Sequence, residues 1–441
     1  MPDLQAVARR FPDRYPYLLD SVAQGPLGRH SLLLRATGEC LQLDADGRLH
    51  GPGKAPTFLG RLADWYAQLA IAPDPDQALP FAGGWFLYMG YELAAEIEPV
   101  LDLPPASSAL PVALAARCDG AVLIDHAAAG SAWLVAESPR TLEAMRADLA
   151  ASATEPAEAG DAAAVRCITP DPDGDFTAAV ERVKEYLAAG DVFQVNLSRG
   201  WQIELEQPAD PLELYRRLRR SNPAPFAGLM QWRGHALMSS SPERLVEVRG
   251  RLVQTRPIAG TYPRGGDEES DRMLSRDLLA HPKERAEHIM LIDLERNDLG
   301  RVCETGSVEV SELMVVESYA HVHHIVSNVR GILKQDAGPC DVIAAVFPGG
   351  TITGCPKVRC MQIIAELEGK GRGFYTGAMG YLGRDGQMDL NILIRSLLLS
   401  GAEVSLRTGA GIVADSVPEK ELAETVAKVR GLLLALEPAN D

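Results

Sequence analysis

Four glutamates, in two pairs far apart in the chain, are the residues whose type and spacing first suggest shared chemistry. Glu284 and Glu287 stand three residues apart in His281-Pro-Lys-Glu-Arg-Ala-Glu-His288. Glu421 and Glu424 repeat that spacing in Pro418-Glu-Lys-Glu-Leu-Ala-Glu424, with Lys428 one turn further on. On a helix, positions three and four apart share a face. Each segment would therefore present a stripe of carboxylates. Two facing stripes offer an all-oxygen donor set, which suits Mg²⁺, a hard cation that keeps several of its waters. Either pair alone also fits an ordinary solvated helix face, since such charge spacing contributes only about 0.2–0.5 kcal/mol.

Further strings carry isolated polar groups. Phe347-Pro-Gly-Gly-Thr351-Ile-Thr-Gly-Cys-Pro356-Lys357 reads as a glycine-rich turn entering a helix whose first residue is Pro356. Free N–H groups at such a helix start attract anions. The string lacks the Gly-Lys-Ser/Thr close of a nucleotide-phosphate loop. Ser239-Ser-Ser-Pro-Glu243-Arg244 and Arg256-Pro-Ile-Ala259-Gly-Thr261 share the pattern of a few polar side chains in a short string. Ser318-Tyr-Ala-His321-Val-His323-His324 brings three histidines close. Their spacing of i, i+2 and i+3 shares no helix or strand face, so one histidine beside reacting groups fits better than a histidine-bound metal. Arg407-Thr-Gly409-Ala-Gly411-Ile-Val-Ala-Asp-Ser416 reads as a strand ending in a glycine turn before the second carboxylate helix.

The elements that must position these groups are visible as alternating patterns. Residues 175–190 have helical apolar spacing and close on Gly190, a plausible C-cap, and Val192 to Ser198 then reads as a strand. Helical stretches come next at 211–220, 268–280, 282–299, 339–347 and 356–368, with short β-type runs between them and a final amphipathic helix over 418–436. Pro282 suits a first helical turn, and Gly300 suits a helix end. Phe81 to Glu92 is aromatic and glycine-rich, as in a buried strand and turn. The small, acidic stretch that begins at residue 151 suggests a linker or exposed loop over 151–170, between an N-terminal region (1–150) and a catalytic region (171–437). The two regions are expected to form one intertwined globule.

Bulk composition narrows the class. The chain has 441 residues, 46% hydrophobic and 23% charged, which is globular composition with ample material for a core. No run of about 18 apolar residues suggests a membrane span, and the N-terminus has no apolar signal region. Seven scattered cysteines without a Cys-x-x-Cys pair point to reduced thiols in the cytoplasm. The net charge of −17 argues against nucleic acid or an anionic membrane as partner. An anionic substrate would need local cations or a metal to reverse that field.

Taken together and in order, the strings resemble the chorismate-utilising family: anthranilate synthase component I, aminodeoxychorismate synthase component I, and isochorismate and salicylate synthases. The resemblance runs from about 175 to 435. It rests on Ala286-Glu-His-Ile-Met-Leu-Ile-Asp-Leu-Glu-Arg-Asn-Asp-Leu-Gly-Arg301, Pro257-Ile-Ala-Gly-Thr261, Gly354-Cys-Pro-Lys-Val-Arg359 and Gly409-Ala-Gly-Ile-Val-Ala-Asp-Ser416. It implies an α/β (α+β) fold of two large, roughly orthogonal β-sheets wrapped by helices, with the site between them. It implies Glu287 and Glu424 as direct Mg²⁺ ligands, with Glu284 and Glu421 holding metal-bound waters. Tyr375, Arg395, the Gly409 backbone with Gly411 in the same string, and Lys428 would surround the substrate carboxylates. Thr351 would touch the ring, Glu243 would protonate the departing C4 hydroxyl, and His324 would be the site histidine.

Gln194 and Ala259 sort the branches of that family. Water-using members carry a lysine base at the position of Gln194, and a glutamine cannot be that base, so the resemblance moves to ammonia as nucleophile. Many aminodeoxychorismate synthases carry a lysine in place of Ala259 that attacks C2 covalently. Alanine there, before Thr261, is usual in anthranilate synthases and occurs in a subset of aminodeoxychorismate synthases. The strings Gln194-Val-Asn-Leu-Ser198 and Gly349-Gly-Thr-Ile-Thr353 look more like aminodeoxychorismate synthase. Leu18-Leu-Asp20-Ser21 resembles the tryptophan-site string of anthranilate synthases, where Glu is usual in place of Asp20. No glutaminase signature is fused, so a separate amidotransferase subunit is expected to supply ammonia from glutamine.

Overall fold

The computed structural model describes residues 1–23, 28–73, 79–106, 108–127, 131–154, 163–318 and 322–437. Its strands pair antiparallel in one long hydrogen-bonded order. The order begins with Val165–Pro170, Gln194–Leu205, Glu403–Ile412 and Ser396–Ser400. It continues through His235–Ser241, Phe226–Trp232, Tyr17–Asp20, His30–Leu43 and Ala113–Asp125. It passes by Gly84–Met89 to Ala378–Gly383, Met388–Ile392, Arg244–Arg249 and Leu252–Thr255. It ends on Val322–Ile332, which also carries Ile258–Pro263 and Glu309–Ser318. The fold is therefore α/β, with a large antiparallel sheet system and helices against it. Strands from the first 125 residues sit in the middle of that order, between strands contributed by the C-terminal half.

Local signals explain the site-bearing elements. Asp173–Ala189 is helical and stops at Gly190, whose φ of 79° lies in the left-handed region open to glycine. Pro282–Gly300 starts with proline at its first turn and ends on glycine. Lys357–Glu368 has Pro356 as its N-cap rather than its first helical residue. Pro418–Leu433 carries Glu419 and Glu421 in its first turn, where a helix N-terminus favours negative charge. The stretch 151–170 is only partly a connection. Its start completes the helix Pro139–Thr154 and its end forms the strand Val165–Pro170.

The core explains why these elements stay in place. Gly84–Met89 is buried along its whole length, because strands cover both its edges and apolar residues both its faces. Trp85 is fully buried against Trp65 and Tyr66. A ring of this size removes roughly 200 Å² from water, about 5 kcal/mol at 25 cal/mol per Å². The helix Pro282–Gly300 buries Ile292 and Leu299 against the helix Pro339–Val346 and its neighbours. All seven cysteines are free thiols. No helix is long and apolar enough to cross a membrane among the described residues.

Candidate active site

Arg395 links three of the expected site residues, His324, Tyr375 and Glu424. It lies between the strands Met388–Ile392 and Ser396–Ser400 with a left-handed φ of 51°, a conformation that costs a non-glycine residue about 1–3 kcal/mol. Thr376, next to Tyr375, is also left-handed at 62°. The Arg395 carbonyl accepts from Ser240 N–H at 3.0 Å, which ties it to the string that carries Glu243. Burial lowers the Arg395 guanidinium from its usual value, while Tyr375 and Glu424 act to raise it. Arginine keeps its charge in proteins, so the chain's acidic surface gives way here to a half-buried cation.

From Arg395 the site extends two ways. On one side is His324, pushed down to about 4 by burial first and by Arg395 second, and therefore neutral at pH 7. His324 sits opposite Thr261 in the ladder, and Ala259 sits opposite Ile325. The side chain of Thr261, and Tyr319 and His321 of the histidine string, lie outside the described residues. His323 instead bonds Ser318 and Asp271, away from this group. On the other side is Tyr375, whose phenol burial pushes up to about 12. A Cβ on Gly409 would stand 2.7 Å from the Tyr375 hydroxyl and 2.9 Å from Asn196 Oδ1. Lys428 Nζ donates to the Gly409 carbonyl at 2.9 Å and pairs with Glu424 at 2.6 Å.

Gly409 and Gly411 lie inside the strand Glu403–Ile412, not in a turn. The next strand occupies the space above them. A Cβ on Gly409 would come within 2.5 Å of the Leu197 carbonyl oxygen, and one on Gly411 within 2.3 Å of Gln194 Nε2, so the Gln194 amide would have to move. Gln194 Oε1 and Asn196 Oδ1 are buried and have no hydrogen-bond partner among the described residues. They lie two residues apart on one strand face.

Glu243 comes just after the strand His235–Ser241 and is 4% exposed. Its carboxyl accepts from Ile258 N–H at 3.4 Å, and its own N–H is held by Ser241 Oγ at 3.2 Å. Burial pushes Glu243 up to about 8; the nearby Thr351 hydroxyl acts the other way, although its Oγ makes no well-formed hydrogen bond. Glu243 is thus a neutral acid at pH 7, able to give a proton.

The glutamate pairs lie on the two expected helices, Pro282–Gly300 and Pro418–Leu433. Their oxygen donors suit Mg²⁺ in type. However, among the described residues no three His, Cys, Asp or Glu side chains gather around a point that could hold an ion. Glu424 is about half exposed and turned to Lys428, and Glu284 leans over Gly260, where a Cβ would be 2.9 Å from its carboxylate. Glu421 is buried and Glu287 half-buried on their helices.

Sequence reading missed the cluster that braces the site. Glu368 takes Arg372 at 2.6 Å, Arg407 at 2.8 Å and the Ser198 N–H and hydroxyl at 2.9 Å. Burial would raise Glu368, but the two arginines outweigh it and hold it below its ordinary value. Arg372 also bonds the Asn196 carbonyl at 2.7 Å, which fixes the strand that carries Gln194. A Glu and an Arg four apart read as a surface pair, and only their neighbours show otherwise. A separate cavity of about 390 Å³ is lined by Asp20, Ser21, Arg29, Arg244, Arg249 and Asp389. There Asp20 accepts from Ser31 at 2.7 Å and pairs with Arg219 at 2.8 Å.

A family model described as chorismate binding enzyme matches residues 31–434. The chain belongs to the chorismate-binding enzyme family. The match runs from within the strand His30–Leu43 to just past the helix Pro418–Leu433, and so takes in the site residues from Gln194 to Lys428. A Synechocystis protein named anthranilate synthase component I-like is 41% identical over 413 residues, 93% of this chain and 83% of that one. Aminodeoxychorismate synthase component 1 of Bacillus subtilis is 48% identical over 266 residues, 60% of this chain and 56% of that one. The crystal structure of anthranilate synthase component I from Streptococcus pneumoniae superposes with a TM-score of 0.81 at 31% identity, covering 93% of both chains.

Proposed function

We propose that this member of the chorismate-binding family aminates chorismate at C4, giving 4-amino-4-deoxychorismate, a step towards p-aminobenzoate and folate. Mg²⁺ is its proposed cofactor, supplying charge neutralisation at the substrate carboxylates. A separate glutamine amidotransferase subunit is its proposed ammonia source, and a reducing cytoplasm its setting. One observation carries the amination: the buried, neutral acid Glu243 is combined with an amide, Gln194, at the position that would need a base to activate water. Ammonia is nucleophilic without such help. Arg395, Lys428 and the Tyr375 hydroxyl would receive the carboxylates. Neutral His324 would offer a hydrogen bond without adding a charge.

In this reading the ammonia lone pair bonds to C2, the ring double bonds shift, and the C4–O bond breaks. Glu243 gives its proton to that oxygen, which leaves as water. Ala259 has no amine for C2, so ammonia fills that position itself. A second ammonia then attacks C4 as the C2 amine leaves. The strings at Gln194–Ser198 and Gly349–Thr353 favour this product. Ala259, together with the names of the Synechocystis and Streptococcus relatives, favours a second reading in which the C2-amino intermediate expels pyruvate and yields anthranilate. Mass spectrometry of products from chorismate, ¹⁵N-ammonium and Mg²⁺ decides. A ¹⁵N product that keeps its enolpyruvyl ether supports the first reading, and anthranilate plus pyruvate replaces it with the second. Intact-protein spectra of stopped reactions should show only unmodified chain, and a chorismate-sized adduct would disprove the noncovalent route.

A further inference from the structure

Tyr375 sits in a loop that is gripped from a distant part of the chain. Glu92 lies in the 3₁₀ turn Tyr91–Leu93, just after the buried strand Gly84–Met89. Its Oε1 accepts from the Arg372 N–H at 2.7 Å and from the Gly373 N–H at 3.1 Å. The Tyr91 N–H donates to the Gly373 carbonyl at 2.8 Å. The Arg372 carbonyl in turn accepts from the Tyr375 N–H at 3.1 Å. Linked hydrogen bonds thus run from the Glu92 carboxylate to the Tyr375 backbone. The loop needs such holding, because Gly373 and Thr376 both have left-handed φ, 60° and 62°. Its far end is tied by the Thr376 N–H to the Leu393 carbonyl at 2.9 Å, two residues before Arg395. The Arg372 side chain donates to the carbonyls of Asn196 at 2.7 Å and Ile352 at 3.2 Å, and Glu368 holds it at 2.6 Å.

We propose that Glu92 is a positioning residue for substrate binding: by holding the Arg372 and Gly373 N–H groups it places the Tyr375 hydroxyl, so the N-terminal region sets affinity for chorismate from outside the pocket. The inference rests on the reading of Tyr375 as a receiver of the substrate carboxylates. A carboxylate is a stronger acceptor for backbone N–H than a neutral group, and here one of its oxygens serves two donors. The other, Oε2, is buried and has no hydrogen-bond partner among the described residues. Removing Glu92 frees the loop backbone at Arg372 and Gly373. It leaves the Arg372 side chain on Glu368 and on the strand of Gln194, and it leaves Glu243 on its own strand end. The loss therefore falls on binding rather than on the chemical step.

The test is a double-mutant cycle with Tyr375→Phe, read in steady-state kinetics with chorismate, ammonium and Mg²⁺. Glu92→Ala should raise KM for chorismate about tenfold, with kcat within about threefold of wild type. Tyr375→Phe should raise KM by a like amount. The double variant should also lose about tenfold, because a hydroxyl already out of place has nothing further to contribute. Glu92→Gln keeps the acceptor oxygen and should stay within about twofold of the wild-type KM. A wild-type KM in Glu92→Ala overturns the proposal, and so do single effects that multiply to about a hundredfold in the double variant. Where Glu92→Ala does not fold, Glu92→Asp, with the same charge on a shorter stem, should raise KM about fivefold, and a wild-type KM there overturns the proposal equally. A Tyr375→Phe enzyme with wild-type KM would instead sink the reading of Tyr375, and wild-type enzyme that leaves chorismate untouched would sink the amination reading.

Discussion

Replacing Glu243 by glutamine should cost catalysis and strengthen the fold, and the size of the gain can be worked from its environment. Glu243 is raised from 4.5 to about 8 in the folded chain, with burial as the first cause. For a group raised on folding, stability is fully present below the unfolded value and is lost as pH rises towards the folded one. At about 1.4 kcal/mol per unit, wild type gives up about 3 kcal/mol at pH 7 and about 5 kcal/mol above pH 8. A glutamine cannot ionise, keeps the shape, and still accepts from Ile258 N–H. For a chain of 441 residues, an unfolding entropy of about 2.1 cal/mol/K per residue makes this about 3–4 °C in Tm at pH 7. Calorimetry at pH 5, 7 and 8.5 should show a gain that is under 1 °C at the lowest pH and grows with each step. Chorismate consumption should fall by about 100-fold or more. A Tm difference that is zero, negative or flat across the series would refute the claim that Glu243 is a strained, neutral acid.

Three other expectations concern the site. Glu287→Gln or Glu424→Gln should abolish turnover while circular dichroism shows an intact fold, since each removes charge from a proposed Mg²⁺ site; full activity at saturating Mg²⁺ would refute the ligand assignment. The purified chain should turn over chorismate with ammonium but use glutamine only when an amidotransferase subunit is added, and glutamine-dependent activity of the single chain would overturn that division. Glu368→Gln should cost about 3–5 kcal/mol by leaving Arg372 and Arg407 buried and half-paired, which calorimetry would show as a fall in Tm of about 3–5 °C. An unchanged Tm would mean the cluster is no brace.

The chain's local order was legible wherever backbone and side-chain periodicity are local properties. Glu284 with Glu287, and Glu421 with Glu424, share helix faces because 3.6 residues make a turn. Gly190 and Gly300 mark helix ends because glycine, lacking a side chain, holds a helix weakly. The order of the strings identified the family because it is a property of the chain itself. Other features needed the third dimension. Gly409 and Gly411 looked like a turn, but they belong to a strand whose neighbour brings Gln194 and Asn196 into the space a Cβ would take. The stretch after residue 151 looked like a linker from composition, yet its end, Val165–Pro170, becomes a strand because Gln194–Leu205 offers it an edge. Whether two carboxylate stripes meet depends on how two helices far apart in sequence are docked, and here Glu424 turns to Lys428. Glu243 and Glu368 are written with the same letter as the exposed glutamates. Only the groups packed around them, drawn from distant parts of the chain, decide that the first is a neutral acid and the second a buried anion.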